Sequence, residues 1–445
     1  MTILERLGAH AVSGYRRGLT GPARDALRLH IADTVGAWVA ACKTAEAKAL
    51  LGFGPKDGGG LPDRVALACA LARLSEVDDI HLASGTTPGG LVVPSALTVG
   101  AALGRSSAEI AAAAAVGYDL MARTGEALDG PTILQRGIWP TYLLAPLAVA
   151  GVAARLLDLD GPRCAHALAI ALALASPAVG RQGGSSLSRW LALGNAARNG
   201  VTAALAARAG FTGDLRFFED DFFPSVYHLS PDFDILEGDP EASPSVALTS
   251  FKPWCAARQT MAAVQALREI IAEGVSLADM TNLTVGVPHP YQRMIDHGVV
   301  PGERTSFLTS VSFQMALFAF DPNASLDPVQ VRDSLPGAME RFMARISVRA
   351  DGDLLRHYPR AWPALLHVET PKGTREKLVL YVPGDPERSF DEFQVAAKFW
   401  RLIGPLIGER RTEELLRQCF LAVEKDSDPK ALLESIEKAV ASASG

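Results

Sequence analysis

Three polar islands interrupt an otherwise apolar, alanine-rich chain, and any chemistry must draw on them. The first is Glu76-Val77-Asp78-Asp79-Ile80-His81. Three carboxylates and an imidazole this close can do acid/base work, because like charges packed together raise one carboxylate pKa toward the range of a general acid or base. The same residues would also serve as a solvated loop or as caps on neighbouring helices. Their spacing does not suit a hard metal ion. The second island, Arg181 to Arg189 (RQGGSSLSR), leads glycines and serines into a helix carrying arginine. Free backbone N–H groups beside a guanidinium suit a carboxylate, and a mobile loop with a surface arginine is the plainer alternative. The third, Ser250 to Arg258 (SFKPWCAAR), holds Lys252 between apolar neighbours. A lysine so placed binds an anion or, when desolvated, acts as a base; it would equally snorkel at a domain seam.

The elements that must position these islands follow from periodicity. Residues 22–41, 64–75, 92–124, 139–158, 161–177 and 195–210 read as helices, several of them alanine-rich, with Ser106 or Ser107 capping a helix over 107–124. After about Phe251 a helix over 259–273 is followed by strand-like runs at 282–287, 344–349, 364–370 and 376–382, with Pro371-Lys372-Gly373 as a hairpin connection. From Phe390 the chain returns to helices. The expected architecture is mainly α: a helical domain built from both chain ends, residues 1–250 and 390–445, with an inserted α/β lid over 251–389 and a cleft at the junction.

Composition narrows the function. The chain has 445 residues, a net charge of −6, 48% apolar and 21% charged residues. With a pI near 5.9, it is not expected to bind nucleic acid or a membrane surface. The five cysteines are scattered and form no CxxC pair, so neither a disulfide framework nor a zinc or iron–sulfur site is expected. The start, MTILERLGAH, lacks a signal-peptide pattern, and the longest apolar run, 143–157, is too short to span a bilayer. A cytoplasmic protein is expected. The glycines of GPKDGGGLP (54–62) lack a following GK[ST] and read as a surface loop.

These islands, in this order, resemble the MmgE/PrpD family, which contains 2-methylcitrate dehydratase, cis-aconitate decarboxylase and iminodisuccinate epimerase. The segments that carry the resemblance are RLHIADTVGAWVA (28–40), EVDDIH with TPGGLVVPSAL, GYDLMARTGEAL, LGNAARNGVTAALAARAGFTG (193–213), SFKPW and PGDPERSFDEFQVAAKF. The resemblance implies an all-helical domain plus an α/β lid, a homodimer, no metal or organic cofactor, and a carboxylate substrate. It also implies site positions. Glu76 stands at the first acid of the family's DFDDTH-like motif, Asp78 and Asp79 at its acid pair, and Ile80 at its threonine. Thr87 replaces a histidine before Pro-Gly, and Trp139 a second histidine before Pro-Thr. Arg189 replaces a lysine, Lys252 retains one, and Phe313 stands for a tyrosine.

On this pattern dehydration of methylcitrate and decarboxylation of cis-aconitate are not expected. The implied catalytic groups are Lys252, Asp79, Asp78, Glu76 and His81. The implied binding groups are Arg189, Arg258, Thr87, Trp139, Tyr142, Phe313 and Trp254. Two neutral-pH proton shuttles have given way to less polar side chains, so the expected ligand is anionic but larger or less polar than citrate. The reading is a cofactor-independent lyase or isomerase working by acid/base chemistry. Its alternatives are a cyclase that acts by confining its substrate among aromatic rings, and a non-catalytic homologue that only binds a ligand. Of the nine histidines, only His81 lies beside the active-site motifs; His30 and the others fall outside them.

Overall fold

The computed structural model describes residues 1–54, 59–177 and 186–444. Residues 55–58 of the glycine-rich stretch and Arg181–Ser185 of the second island therefore lie outside the description. The chain forms two compact units. One comprises residues 1–179, 187–251 and 390–445; the other comprises 180–186 and 252–389.

The first unit is helical. Its main helices are Gly21–Ala41, Leu61–Leu74, Gly89–Ala102, Ser107–Ala127, Pro140–Leu156, Gly161–Ala173 and Ser188–Arg208, joined by Glu392–Ile407, Glu409–Leu421 and Pro429–Ser444 from the end of the chain. Alanine lets these helices approach closely, and glycine takes over where even a methyl is too large. A Cβ on Gly200 would stand 2.6 Å from the Pro146 carbonyl oxygen, and one on Gly151 would collide with Leu120. The Pro140–Leu156 helix is thereby pressed between Ser107–Ala127 and Ser188–Arg208, and it is buried along nearly its whole length. The returning C-terminal segment is tied in by an ion pair. Lys398 Nζ lies 2.5 Å from Asp33 Oδ1 and donates to the Val77 carbonyl at 2.9 Å.

The helical run over 92–124 divides where the Ser106 cap was read, into Gly89–Ala102 and Ser107–Ala127. Gly104, at φ +66°, breaks it after Ala102. Ser106 then caps the next helix with its side chain while Glu109 reaches back to the Ser106 N–H, a capping box. The alanine-rich helix expected from Asn195 begins seven residues earlier, at Ser188.

The second unit carries a four-stranded mixed sheet of order β2-β1-β3-β4, with β1 Asn282–Val287, β2 Ile346–Ala350, β3 Ala364–Thr370 and β4 Gly373–Val379. β1 is parallel to β2 and antiparallel to β3. Ala364, Leu366 and Val368 form the buried face of β3, and the amphipathic helix Arg258–Ala272 packs there. The last strand lies three residues earlier than the run 376–382 suggests. Thr370 pairs with Gly373 across a two-residue turn, and that pairing sets the register of the whole hairpin.

No helix among the described residues is long and apolar enough to cross a membrane. The five cysteines are free and buried.

Candidate functional site

The first island occupies the connection between the helices Leu61–Leu74 and Gly89–Ala102. It is pinned on both sides. Ile80 and Ser250 exchange backbone hydrogen bonds of 2.9 and 2.8 Å, and the His81 N–H donates to the Thr86 carbonyl at 2.8 Å. Glu76 opens the connection in the left-handed region, at φ +59°, a conformation that a non-glycine residue holds only when its surroundings impose it.

Asp79 sits at the start of the Gly89–Ala102 helix. Its Oδ1 accepts the Gly89 N–H at 2.7 Å, the Tyr118 hydroxyl donates to Oδ2 at 2.6 Å, and His30 Nδ1 lies 2.8 Å from Oδ2. The carboxylate is fully buried, and burial alone would raise its pKa. The bond and charge of His30, then the Tyr118 hydroxyl, then the Gly89 N–H outweigh burial and hold it below the usual range. The like-charge argument fails at this residue because donors, not carboxylates, surround it. A carboxylate at a helix N-terminus is also favoured by the helix dipole.

His30 is the residue that sequence reasoning set aside. It projects from the Gly21–Ala41 helix, stacks on Phe251 at 4.1 Å and meets Asp79. The available signal was His30, Asp33 and Thr34 within an otherwise apolar helix run; polar groups on a buried face need partners. Asp33 lies nearby, with its pKa raised by burial against the pull of Lys398 and His30.

Asp78 and Glu76 converge on one cation. Arg73 Nη1 lies 3.1 Å from Asp78 Oδ1 and 2.9 Å from Glu76 Oε2. Burial works against the Arg73 charge, but the two acids more than restore it. His81 is buried, and burial pushes its imidazole down to about 4 despite the Asp79 charge. Its Nδ1 accepts the Ser84 N–H at 3.3 Å and lies 3.0 Å from Ser84 Oγ, which places the ring proton on Nε2.

Arg189 begins the Ser188–Arg208 helix one residue in. Its guanidinium carbon lies 4.9 Å from the Trp139 ring centre and 4.8 Å from that of Trp190. Nη2 is 3.7 Å from Glu76 Oε1, a loose contact, and Nε has no hydrogen-bond partner among the described residues. Trp139 precedes the Pro140–Leu156 helix and meets Tyr142 edge-on at 5.8 Å. Thr87 joins the same helix start: its N–H donates to Thr141 Oγ1 at 3.2 Å. Glu76, Arg189, Trp139, Tyr142 and Thr87 are thus gathered around the start of the Pro140–Leu156 helix. Asp78 and Asp79 are sealed at 0% side-chain exposure, whereas Glu76 and Arg189 keep 12% and 11%.

The remaining expected residues belong to the second unit. Lys252 is its first residue after the helical unit and is buried. Arg258 is buried and directs Nη2 at Asp385 Oδ2, 2.5 Å away, while Asp385 Oδ2 also accepts the Val382 N–H. Trp254 is covered by Arg268, 5.6 Å above its ring. Phe313 is fully buried, edge-to-face with Phe307 at 4.9 Å. No cluster of three or more metal-ligating side chains occurs among the described residues.

Sequence models of the MmgE/PrpD N-terminal domain and the MmgE/PrpD C-terminal domain match residues 6–226 and 254–421. No individual curated protein matches the chain.

Proposed function

The chain belongs to the MmgE/PrpD family, and on that premise we propose that it is a cofactor-independent lyase or isomerase that moves a proton on a carboxylate-bearing small molecule. The family's coarse class is lyase- or dehydratase-type chemistry on carboxylates. Arg189 carries the finer reading. A guanidinium within 5 Å of two indole ring centres, with an ion contact no closer than 3.7 Å and Nε without a partner among the described residues, keeps donors for a ligand. That planar fork matches a carboxylate in bidentate geometry. The ring faces beside it favour a ligand with apolar or aromatic surface.

In this reading Arg189 binds a substrate carboxylate and stabilises the negative charge that develops when an adjacent proton leaves. Glu76 is the acid of its cluster open to a bound molecule, and it takes or returns that proton. Asp79 and Asp78 act at one remove. They hold the connection that presents Glu76, through Gly89, Tyr118 and His30 in one case and Arg73 in the other. His81, neutral and with Nδ1 engaged, holds the Ser84 turn rather than shuttling protons at neutral pH.

The test does not require knowing the substrate. The full-length protein is incubated in heavy water with a panel of di- and tricarboxylates and aromatic-bearing carboxylates, and deuterium incorporation or consumption is followed by NMR. Arg189→Lys should raise KM by about tenfold to a hundredfold, the loss of a bidentate charged contact. Glu76→Gln should lower kcat by about a hundredfold or more with little change in KM. Wild-type kinetics in both variants would overturn these roles. Melting shifts with carboxylates but no exchange in the wild type would favour a binding protein without catalysis.

A further inference from the structure

From Leu187 onward the chain leaves the helical unit once, after Phe251, and returns once, at Phe390. Both residues belong to the helical unit, and their rings stack with centres 5.7 Å apart and planes 10° from parallel. Phe251 also stacks on His30, at 4.1 Å and 14°. His30 Nδ1 in turn lies 2.8 Å from Asp79 Oδ2. We propose that these three rings are a positioning device: they tie both chain crossings to the Asp79 carboxylate, so that the root of the second unit sets the geometry of the first polar island.

The island is held from both crossings. Ser250, one residue before the first crossing, exchanges backbone hydrogen bonds with Ile80. Phe251 follows, and His30 carries its hold to Asp79. Beyond the second crossing the Glu392–Ile407 helix begins, and its Lys398 donates to the Val77 carbonyl at 2.9 Å. Val77, Asp79 and Ile80 are thus each anchored to a segment that leads into or out of a crossing. The Ser250–Ile80 bonds secure only the first crossing. The contact between Phe251 and Phe390 joins the second to it.

His30, Phe251 and Asp79 are buried, and Phe390 is half-buried. In a densely packed interior such rings do not shift singly, so a displacement at one crossing passes along the contact. Stacked rings also attract beyond their buried area. Histidine suits the join, because its face packs on a ring while its edge presents a nitrogen to a carboxylate. The device serves the site proposed above and rests on that reading only for its effect on catalysis; the mechanical link is tested without substrate.

Hydrogen–deuterium exchange of the full chain, read by mass spectrometry, measures the link. The reporters lie in peptides covering 76–91, where the Ile80 N–H donates to the Ser250 carbonyl and the Gly89 N–H to Asp79. Phe390→Leu keeps an apolar side chain and removes the ring. It should speed exchange over 76–91 about threefold to tenfold. Phe390→Tyr keeps the ring and should exchange as the wild type does. With His30→Gln already in place the link is cut, so Phe390→Leu should add about twofold or less. Phe218→Leu removes a ring from a different pair of the helical unit, Phe218–Phe223 at 4.9 Å, and should leave 76–91 unchanged. Unchanged exchange in Phe390→Leu would overturn the proposal. So would equal acceleration by Phe218→Leu, failure of Phe390→Tyr to keep the wild-type rate, or full additivity of His30→Gln and Phe390→Leu. In the reaction proposed above, Phe390→Leu should lower kcat about threefold to tenfold with KM within about twofold, and Phe390→Tyr should retain kcat. Faster amide exchange with unaltered kcat would support the ring link and count instead against the catalytic role given to the island.

Discussion

The His81 imidazole offers the sharpest check on the electrostatics of the site. In the unfolded chain its pKa is about 6.5, and in the folded protein burial pushes it down to about 4. The sign follows from linkage. Between these values the unfolded chain binds a proton that the folded one refuses, so stability rises with pH across this window and is lost as pH falls. The slope is about 1.4 kcal/mol per pH unit, which between pH 7 and pH 5 amounts to about 2 kcal/mol after the partial protonation at each end is included. His81→Asn removes the titration but keeps an acceptor for the Ser84 N–H. Urea unfolding of both proteins at a series of pH values isolates the effect, because the remaining histidines contribute to both. The wild type should lose about 2 kcal/mol more than the variant over that range. The His81 ring resonance should stay in its neutral position until the pH nears 4. Equal pH slopes in the two proteins, or an NMR midpoint near that of a free imidazole, would refute the claim that burial controls this group.

Two further outcomes test the scaffold. Lys398→Met removes the partner of Asp33 inside the helical unit and should cost about 3–5 kcal/mol in chemical denaturation. Adding Asp33→Leu should restore most of it; a single-variant loss under about 1 kcal/mol would show that the pair does not hold the returning chain. Gly89→Ala would place a Cβ 2.5 Å from Asp79 Oδ2. It should destabilise by about 2–4 kcal/mol although alanine is the better helix former, and a raised melting temperature would count against the anchoring of Asp79.

Much of the framework was legible in the residues. Alanine-rich periodicity marked the helices, Ser106 announced its cap, and β-branched runs located the strands to within a few residues. These features depend on neighbours in the chain, which a sequence displays directly. Where legibility failed locally, the cause was a single backbone feature, such as the Thr370–Gly373 pairing that shifts a strand.

The polar islands were visible as residue types, but their roles were decided by groups distant in the chain. His30 and Tyr118 turn Asp79 from an acid expected to be raised into one held low. Lys398, 365 positions from Asp33, ties the end of the chain to its beginning. Trp139, Trp190 and Glu76, from three segments, gather around the Arg189 guanidinium. The sequence determined the family, the helical and strand segments and the supply of charged groups, because these follow from local pattern. Which charges are sealed and which remain open was decided only by the tertiary structure. Burial and electrostatic energy are sums over everything that surrounds a group, and most of that surrounding comes from elsewhere in the chain.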